Sequence, residues 1–426
     1  MSEVIEIEES ARRIVDLTEE QSAALKSIGK ELASKKVFYM SLDDNNEDSA
    51  NGDSSFESPS VIRCQPVGSG RYEIRFLNVI GAISLQNLTF HVFPKIPLNH
   101  FTHLAKYAFE ESRIRDSPIS IDSLEAFWEV LASWCVSAIE EIHRKGLISD
   151  YQSISDDLPI IRGRVDPYRT SSRYMRGIVN ASCTFDELSI DNPYNRTLKA
   201  ALAAISTTKS IQNHELKSRA FRLEQHLSMV GQATHQDLKV KVDRRSQYYA
   251  NALELSNRFL SGNGVDIRTG IEHGMTFLIP TPGIVESAVR NILSKHLFPM
   301  TVRKQKLVIE TDPYYSINPD LVFSNGAITG DVKYKIVDKD WVRNDVAQAT
   351  MFAAGFEANA ALIVSFSKSP DVNDLEMRMG RTPVHRIAWN ASSLITPEVA
   401  EEEFISRVRA FLLRYRASES GWRRTA

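Results

Sequence analysis

No stretch of the 426-residue chain approaches the roughly eighteen uninterrupted apolar residues that a membrane-spanning helix needs. A basic, then greasy leader is missing as well: the chain begins MSEVIEIEESARR, which is acidic, so the cytoplasm is the expected location and no membrane partner is expected. Cysteine is scarce. Cys64, Cys135 and Cys183 stand far apart with no CxxC pair, which argues against both a disulfide framework and a thiolate zinc site. Neither a GxSxG elbow nor a GxxxxGK[ST] phosphate loop occurs, so the chain is not its own NTP-driven motor by that route. His100 and His103 lack a third ligand nearby, which leaves little basis for zinc there. Strong charge of one sign is also absent. The formal net charge of −3 weakens a nucleic-acid reading only modestly, because it averages over surfaces that meet different partners.

What is present is the composition of a folded globular protein, 42% hydrophobic and 25% charged, at a length that suggests two or three domains. Residues 43–59 (DDNNEDSANGDSSFESP) read as a solvated, disordered insert. The segment RYEIRFLNVIGAISLQNLTFHVFPKI alternates apolar and polar residues, predicting a small β-rich unit that ends near Pro94 and Lys95. From Ser123 the period changes. Leu124, Phe127, Trp128, Leu131, Cys135, Ala138, Ile139 and Ile142 make one apolar helical stripe, and further helices are expected at 194–208, 212–230 and 243–261. Gly262, Gly264, Gly270 and Gly274 then mark a boundary. Beyond it the order reads helix, strand, hairpin, helix, strand, helix, with Thr281 as N-cap, Pro282 opening a helix through Leu297, helices near 343–356 and 398–415, and an apolar strand at Ala360–Phe366. The expected fold is therefore α/β, α+β overall. Its parts are a variable segment at 1–70, a β-rich plus helical region at 71–262 and an α/β domain at 263–426.

The chemistry sits at Asn325-Gly326, a strong hairpin signal because a type I′ turn needs positive φ at both central residues. With a two-residue loop, cross-strand partners sum to 651, so Asp320 faces Asp331. Opposed Cβ atoms on one face lie roughly 4.5–5.5 Å apart, close enough for two carboxylates to share a divalent ion and destabilising without one. Lys333 projects from the same face, while Leu321, Phe323, Ile328, Val332 and Tyr334 collect on the other. Phosphodiester hydrolysis needs charge stabilised on phosphate oxygens and a water deprotonated. Mg²⁺, with Mn²⁺ as a substitute, suits oxygen ligands from Asp320, Asp331 and the Val332 carbonyl, and Lys333 is placed to position water or offset charge. The ordinary alternative is an exposed charge cluster.

Glu286, on the preceding helix, is a further candidate ligand, although an acidic residue in a helix's first turn is favourable anyway. Gln348, on the following helix, is a candidate to orient Lys333 or a phosphate, or else a surface amide. Lys335 and the arginines at 407, 409, 414, 416, 423 and 424 are candidate DNA-backbone contacts or simply solvated charges.

These residues in this order resemble the McrC family, the nuclease subunits of McrBC-type modification-dependent restriction systems, within the PD-(D/E)xK superfamily. The resemblance is carried by Glu286, Pro319-Asp320, Asp331-Val332-Lys333-Tyr334-Lys335 and Gln348, and by VIGAISLQNLTFHVFPKI, GLISDYQSISDDLPIIRGR and DELSIDNPYNRTLKAAL further upstream. The first 70 or so residues match no pattern of that family. The resemblance implies a restriction-endonuclease-like C-terminal domain that cuts double-stranded, possibly modified DNA. It also implies docking on, and stimulation of, a McrB-like AAA+ GTPase hexamer, with GTP bound only by that partner. Lys95, Arg162, Arg164 and Arg196 are then candidate anchors for the partner, or else structural ion pairs. A non-catalytic adaptor of an AAA+ partner and a stand-alone repair nuclease remain the alternatives.

Overall fold

The structure is a computed structural model that describes residues 3–34, 60–85, 87–108, 124–208, 211–234, 236–263, 277–309, 312–337, 340–371 and 374–416. The acidic segment at 43–59, most of the glycine cluster after Asn263, and Arg423 and Arg424 lie outside the described residues. The chain forms two compact units, one of Met1–Phe127 with Ser261–Ala426, the other of Trp128–Leu260. Residues 71–127, expected to go with the helical middle, thus belong with the C-terminal third. The reason is a strand shared between them, described below.

The first unit begins with β1 (Glu3–Glu8), β2 (Arg13–Asp16), α1 (Glu19–Ser34), β3 (Ile62–Gly68), β4 (Arg71–Phe76), β5 (Val79–Leu85), β6 (Leu88–Phe93) and α2 (Leu98–Ala108). Strand β1 runs parallel to β6, which is antiparallel to β5, and β2, β4 and β3 form a separate antiparallel sheet. Alternate residues of these strands, among them Ile74, Phe76, Phe90 and Val92, join Leu25, Ile28 and Leu32 of α1 in one apolar core. Helix α2 was not anticipated: its buried face is made by His100, Phe101, Thr102, Leu104, Ala105 and Ala108, most of which are polar or small and do not stand out as an apolar stripe.

The second unit takes most of α3 (Leu124–Lys145), whose stripe of Trp128, Leu131, Cys135, Ile139 and Ile142 is buried as its spacing predicts. Trp128 stacks on Phe259 with centroids 4.4 Å apart. A three-stranded sheet of β7 (Asp150–Leu158), β8 (Arg164–Val165) and β9 (Ala181–Ser189) is ordered β7-β9-β8 and carries α4 (Pro167–Tyr174), a helix with no buried residue. Helices α5 (Pro193–Thr207), α6 (His214–His226) and α7 (Ala250–Asn263) follow. Helix α7 starts later than 243 because Asp243 and Ser246 bond each other's backbone and side chains, a local turn that competes with helix.

The chain then completes the first unit with β10 (Phe277–Pro280), α8 (Pro282–His296), β11 (Val302–Arg303), β12 (Leu307–Ile309), β13 (Asp312–Ile317), β14 (Leu321–Phe323), β15 (Ile328–Ile336), α9 (Arg343–Gly355), β16 (Ala360–Ser367), β17 (Leu375–Met379), β18 (Thr382–Asn390) and α10 (Pro397–Arg416). Strand β10 pairs with β5, stitching the C-terminal third onto the N-terminal sheet. The remaining strands build a six-stranded sheet ordered β11-β14-β15-β16-β18-β17, in which β15, β16 and β18 run parallel. All eight residues of β16 are buried, as befits a parallel strand covered on both faces. Strands β17 and β18 are additional to the expected order. His385 and Arg386 interrupt the apolar run of β18, and their heads are satisfied by Tyr415 Oη at 2.8 Å and by the Asp340 carbonyl. No helix among the described residues is long and apolar enough to cross a membrane. The cysteines are free and buried.

Candidate active site

The hairpin has the register that a sum of 651 requires: Leu321 faces Gly330, Val322 faces Thr329 and Phe323 faces Ile328. Its turn differs from the two-residue loop expected. Ser324–Ala327 stand outside the ladder, and Ser324, Asn325 and Gly326 all have positive φ, at 44°, 59° and 109°. The loop is widened symmetrically, by Ser324 on one side and Ala327 on the other, so the register does not move. Asp320, just before β14, therefore arrives beside Asp331, and its Oδ2 accepts the Val332 N–H at 3.1 Å. Its own carbonyl is held by Arg290 Nη1 of α8 at 2.9 Å.

Around this pair, Lys333 Nζ lies 3.1 Å from Asp331 Oδ2 and donates to Gln348 Oε1 of α9 at 2.8 Å. Glu286 projects from the second turn of α8 rather than the first, so helix-dipole compensation does not account for it. It meets a residue that sequence reasoning missed: Lys304 Nζ is 3.0 Å from Glu286 Oε2 and 2.9 Å from Asp320 Oδ1. Strand β11 pairs with β14 so that Arg303 faces Val322, and continuing that register brings Lys304 alongside Leu321, next to Asp320. Thr281 stands at the N-cap position of α8, but its hydroxyl donates to buried Glu9 instead of capping.

The alternative of an exposed charge cluster does not hold, because Asp320, Asp331 and Lys333 are only 7%, 4% and 9% exposed. Burial pushes Glu286 up to about 8, with the Asp320 charge adding to it and Lys304 opposing. Burial also pushes Asp331 up to about 7 against the attraction of Lys333. Asp320 moves the other way. Burial would raise it, yet the Lys304 ammonium and the Val332 N–H outweigh burial and hold it below the usual carboxylate range. Opposite shifts on adjacent carboxyls are the mark of a site able to hold and move protons.

Among the described residues no three His, Cys, Asp or Glu side chains enclose a metal position. The donor set nevertheless fits Mg²⁺, which is held by one or two carboxylates plus water and substrate. Asp320 and Asp331 supply two such groups, and Asp331 Oδ2 is buried without a well-directed hydrogen bond. That oxygen is compensated by the Lys333 ammonium 3.1 Å away, and its remaining lone pair is available to a cation.

Other predicted residues are placed as follows. Lys335 Nζ engages buried Asp345 Oδ1 at 3.2 Å. Lys95 Nζ donates to Asn78 Oδ1 at 3.0 Å and to the Tyr334 carbonyl at 3.2 Å, and lies 3.8 Å from Glu9, so it ties β15 to the N-terminal sheet immediately after Lys333. Arg196 makes a two-pronged bond to Asp191 at 2.7 and 2.9 Å. Arg162 lies over the Phe185 ring and 3.6 Å from Glu187, and Arg164 is exposed. Arg407, Arg409 and Arg414 bond to Asp374, the His296 carbonyl and Glu376. His100 accepts from Trp389 Nε1, while His103 bonds Glu401 at 2.6 Å.

The family described as "McrBC 5-methylcytosine restriction system component" matches residues 74–354. No curated protein matches the chain. A solved structure of a half-complex from a tetradecameric assembly of Thermococcus gammatolerans McrB AAA+ hexamers with bound McrC is similar in fold. Identity to it is 14% and the TM-score 0.54, covering 95% of this chain and 100% of that one. The T. gammatolerans McrBC complex solved by cryo-electron microscopy gives 15% identity and a TM-score of 0.41 over 69% of this chain and 88% of that one.

Proposed function

The chain belongs to the McrBC family of restriction-system components, and we propose that it is the subunit that cuts DNA, a Mg²⁺-dependent endonuclease acting with an AAA+ GTPase partner. The observation that carries this reading is the meeting of Asp320, Asp331, Lys333, Gln348 and Glu286, from two strands and two helices, in one buried polar pocket. Charged groups are rarely buried together unless a ligand or reaction compensates them.

Asp320, Asp331, the Val332 carbonyl and Glu286 would hold the ion. A bound Mg²⁺ supplies charge for the phosphate oxygens and acidifies water. Gln348 fixes the Lys333 ammonium through its 2.8 Å bond, so that Lys333 is oriented before substrate arrives. Glu286, which burial raises to about 8, is suited to accept a proton from an incoming water once it is itself deprotonated. Arg290 and the Val332 N–H fix the backbone and carboxylate of Asp320.

For the partner contact, Lys95 and Arg196 are committed to bonds within the chain, which favours Arg162 and Arg164. Their neighbourhood carries Ile160, Ile161, Tyr168, Tyr174 and Met175, all largely exposed. Exposed apolar side chains concentrated in one small subdomain are characteristic of an interface. A plasmid-nicking assay with Mg²⁺, GTP and the AAA+ partner tests the reading. Asp320→Asn and Lys333→Ala abolish cutting while assembly and GTPase stimulation persist, and normal cutting by either variant removes the assignment.

A further inference from the structure

Among the described residues at this site, Lys304 is a cation that the foregoing chemistry does not use. Its ammonium stands 3.0 Å from Glu286 Oε2 and 2.9 Å from Asp320 Oδ1, so a single positive group joins the carboxylate of α8 to the carboxylate at the start of β14. Its side chain is 42% exposed, against 18% for Glu286 and 10% for Asp320. The two acids are fixed in the fold, whereas the lysine reaches them from the short segment between β11 and β12 with solvent on one side.

Mg²⁺ and Mn²⁺ bind carboxylate oxygens at about 2.1 Å. A divalent ion bridging these two oxygens from the side of the ammonium would fall inside the ammonium's own van der Waals volume. The two cations therefore cannot occupy that place together. We propose that Lys304 is an exchangeable occupant of the divalent-cation seat: its ammonium sits between Glu286 and Asp320 when metal is absent, and metal loading expels it toward solvent. This rests on the reading of Asp320 as a metal ligand. An expelled ammonium, tethered at the edge of the site, is also correctly charged to meet a phosphate.

The test uses the full chain without DNA and Mn²⁺ alone as probe, with binding followed by isothermal calorimetry at fixed pH. Lys304→Met removes the competitor and tightens Mn²⁺ binding on the order of tenfold, whereas Lys304→Arg, which keeps a cation there, stays near the unmodified chain. Asp320→Asn abolishes binding in either background. If Asp320→Asn binds Mn²⁺ normally, the site assignment itself fails. If Asp320→Asn abolishes binding but Lys304→Met leaves it unchanged or weaker, the site stands and the exchange is wrong. A second measurement needs no variant: acetylation of Lys304 by an amine-reactive ester, read by mass spectrometry, is slow in metal-free protein and several-fold faster with Mn²⁺. A labelling rate that Mn²⁺ does not change overturns the proposal.

Discussion

In the first unit Asp320, Asp331, Lys333 and Glu9 are folded into the interior, whereas in the second Ile160, Ile161, Tyr168, Tyr174 and Met175 stand in solvent. Each arrangement reverses the usual sorting of side chains, and each costs stability unless something else compensates. The buried charges compensate one another through short bonds: Lys304 to Glu286 and Asp320, Lys333 to Asp331 and Gln348, Lys95 near Glu9. The exposed apolar residues have no comparable internal device, since α4 buries nothing. On the proposed reading the contrast separates two kinds of site, one to be completed by a small cation and one by a protein surface.

The sharpest way to break this contrast is to remove a ligand and find that nothing happens. Asp320→Asn keeps the volume and the Val332 contact but takes away a negative oxygen. Mg²⁺-dependent nicking should fall by at least about a hundredfold to a thousandfold, the cost typical of deleting one preorganised electrostatic group. Unchanged nicking, scored on supercoiled plasmid, would mean that the buried charges are structural. Lys95→Met probes the other buried cation. It leaves Glu9 in the interior without its cation and frees the Tyr334 carbonyl, so folding stability should drop by about 3–5 kcal/mol in urea titration. A loss below about 1 kcal/mol would instead return Lys95 to the list of partner anchors.

Acid–base linkage gives a shallower effect, because the three acids share neighbours and titrate as a set. Glu286 and Asp331 have folded values of about 8 and 7, well above the ordinary carboxylate range of an unfolded chain. Between those limits the folded state binds more protons, so their contribution is complete at acid pH and is lost as pH rises through about 7–8. Metal-free protein should therefore lose melting temperature from about pH 4 to pH 8, and saturating Mn²⁺, which needs the deprotonated acids, should remove that slope. A metal-free melting profile that rises with pH across this window would show that the acids are not held protonated.

How much of this was readable in the chain depends on the range of the interaction. The Asp320–Asp331 pairing was legible because Asn325-Gly326 and the alternation of Leu321, Phe323 and Ile328 fix one register locally, and the symmetric widening of the turn by Ser324 and Ala327 did not disturb it. The start of α8 at Pro282 was legible for the same reason. Lys304 and Arg290 were not, since each reaches Asp320 only through tertiary folding that no spacing records. Lys95 looked like an external anchor because its acceptor, the Tyr334 carbonyl, lies 239 positions away. Strand β18 hid because His385 and Arg386 break its apolar run while finding partners in the fold.

The weakest perturbation to folding should fall on the exposed apolar subdomain, which makes it the cleanest test of the second half of the contrast. Ile161→Asp and Tyr168→Ala alter side chains that are 67% and 83% exposed, and Tyr168 lies on a helix that buries nothing. Substitutions at such positions change folding stability by no more than about 0.5 kcal/mol. If the surface meets the AAA+ partner, the same variants should weaken assembly by about tenfold to a hundredfold, as loss of an apolar anchor does at a protein interface. Folding by thermal melt and assembly by fluorescence anisotropy with labelled partner separate the two quantities. Arg162→Ala, which removes only a half-exposed guanidinium 3.6 Å from Glu187, should cost under about 1 kcal/mol of stability and give a smaller, salt-dependent loss of assembly. Assembly untouched by all three would place the partner elsewhere, and the exposed residues of the second unit would need another ligand to explain them.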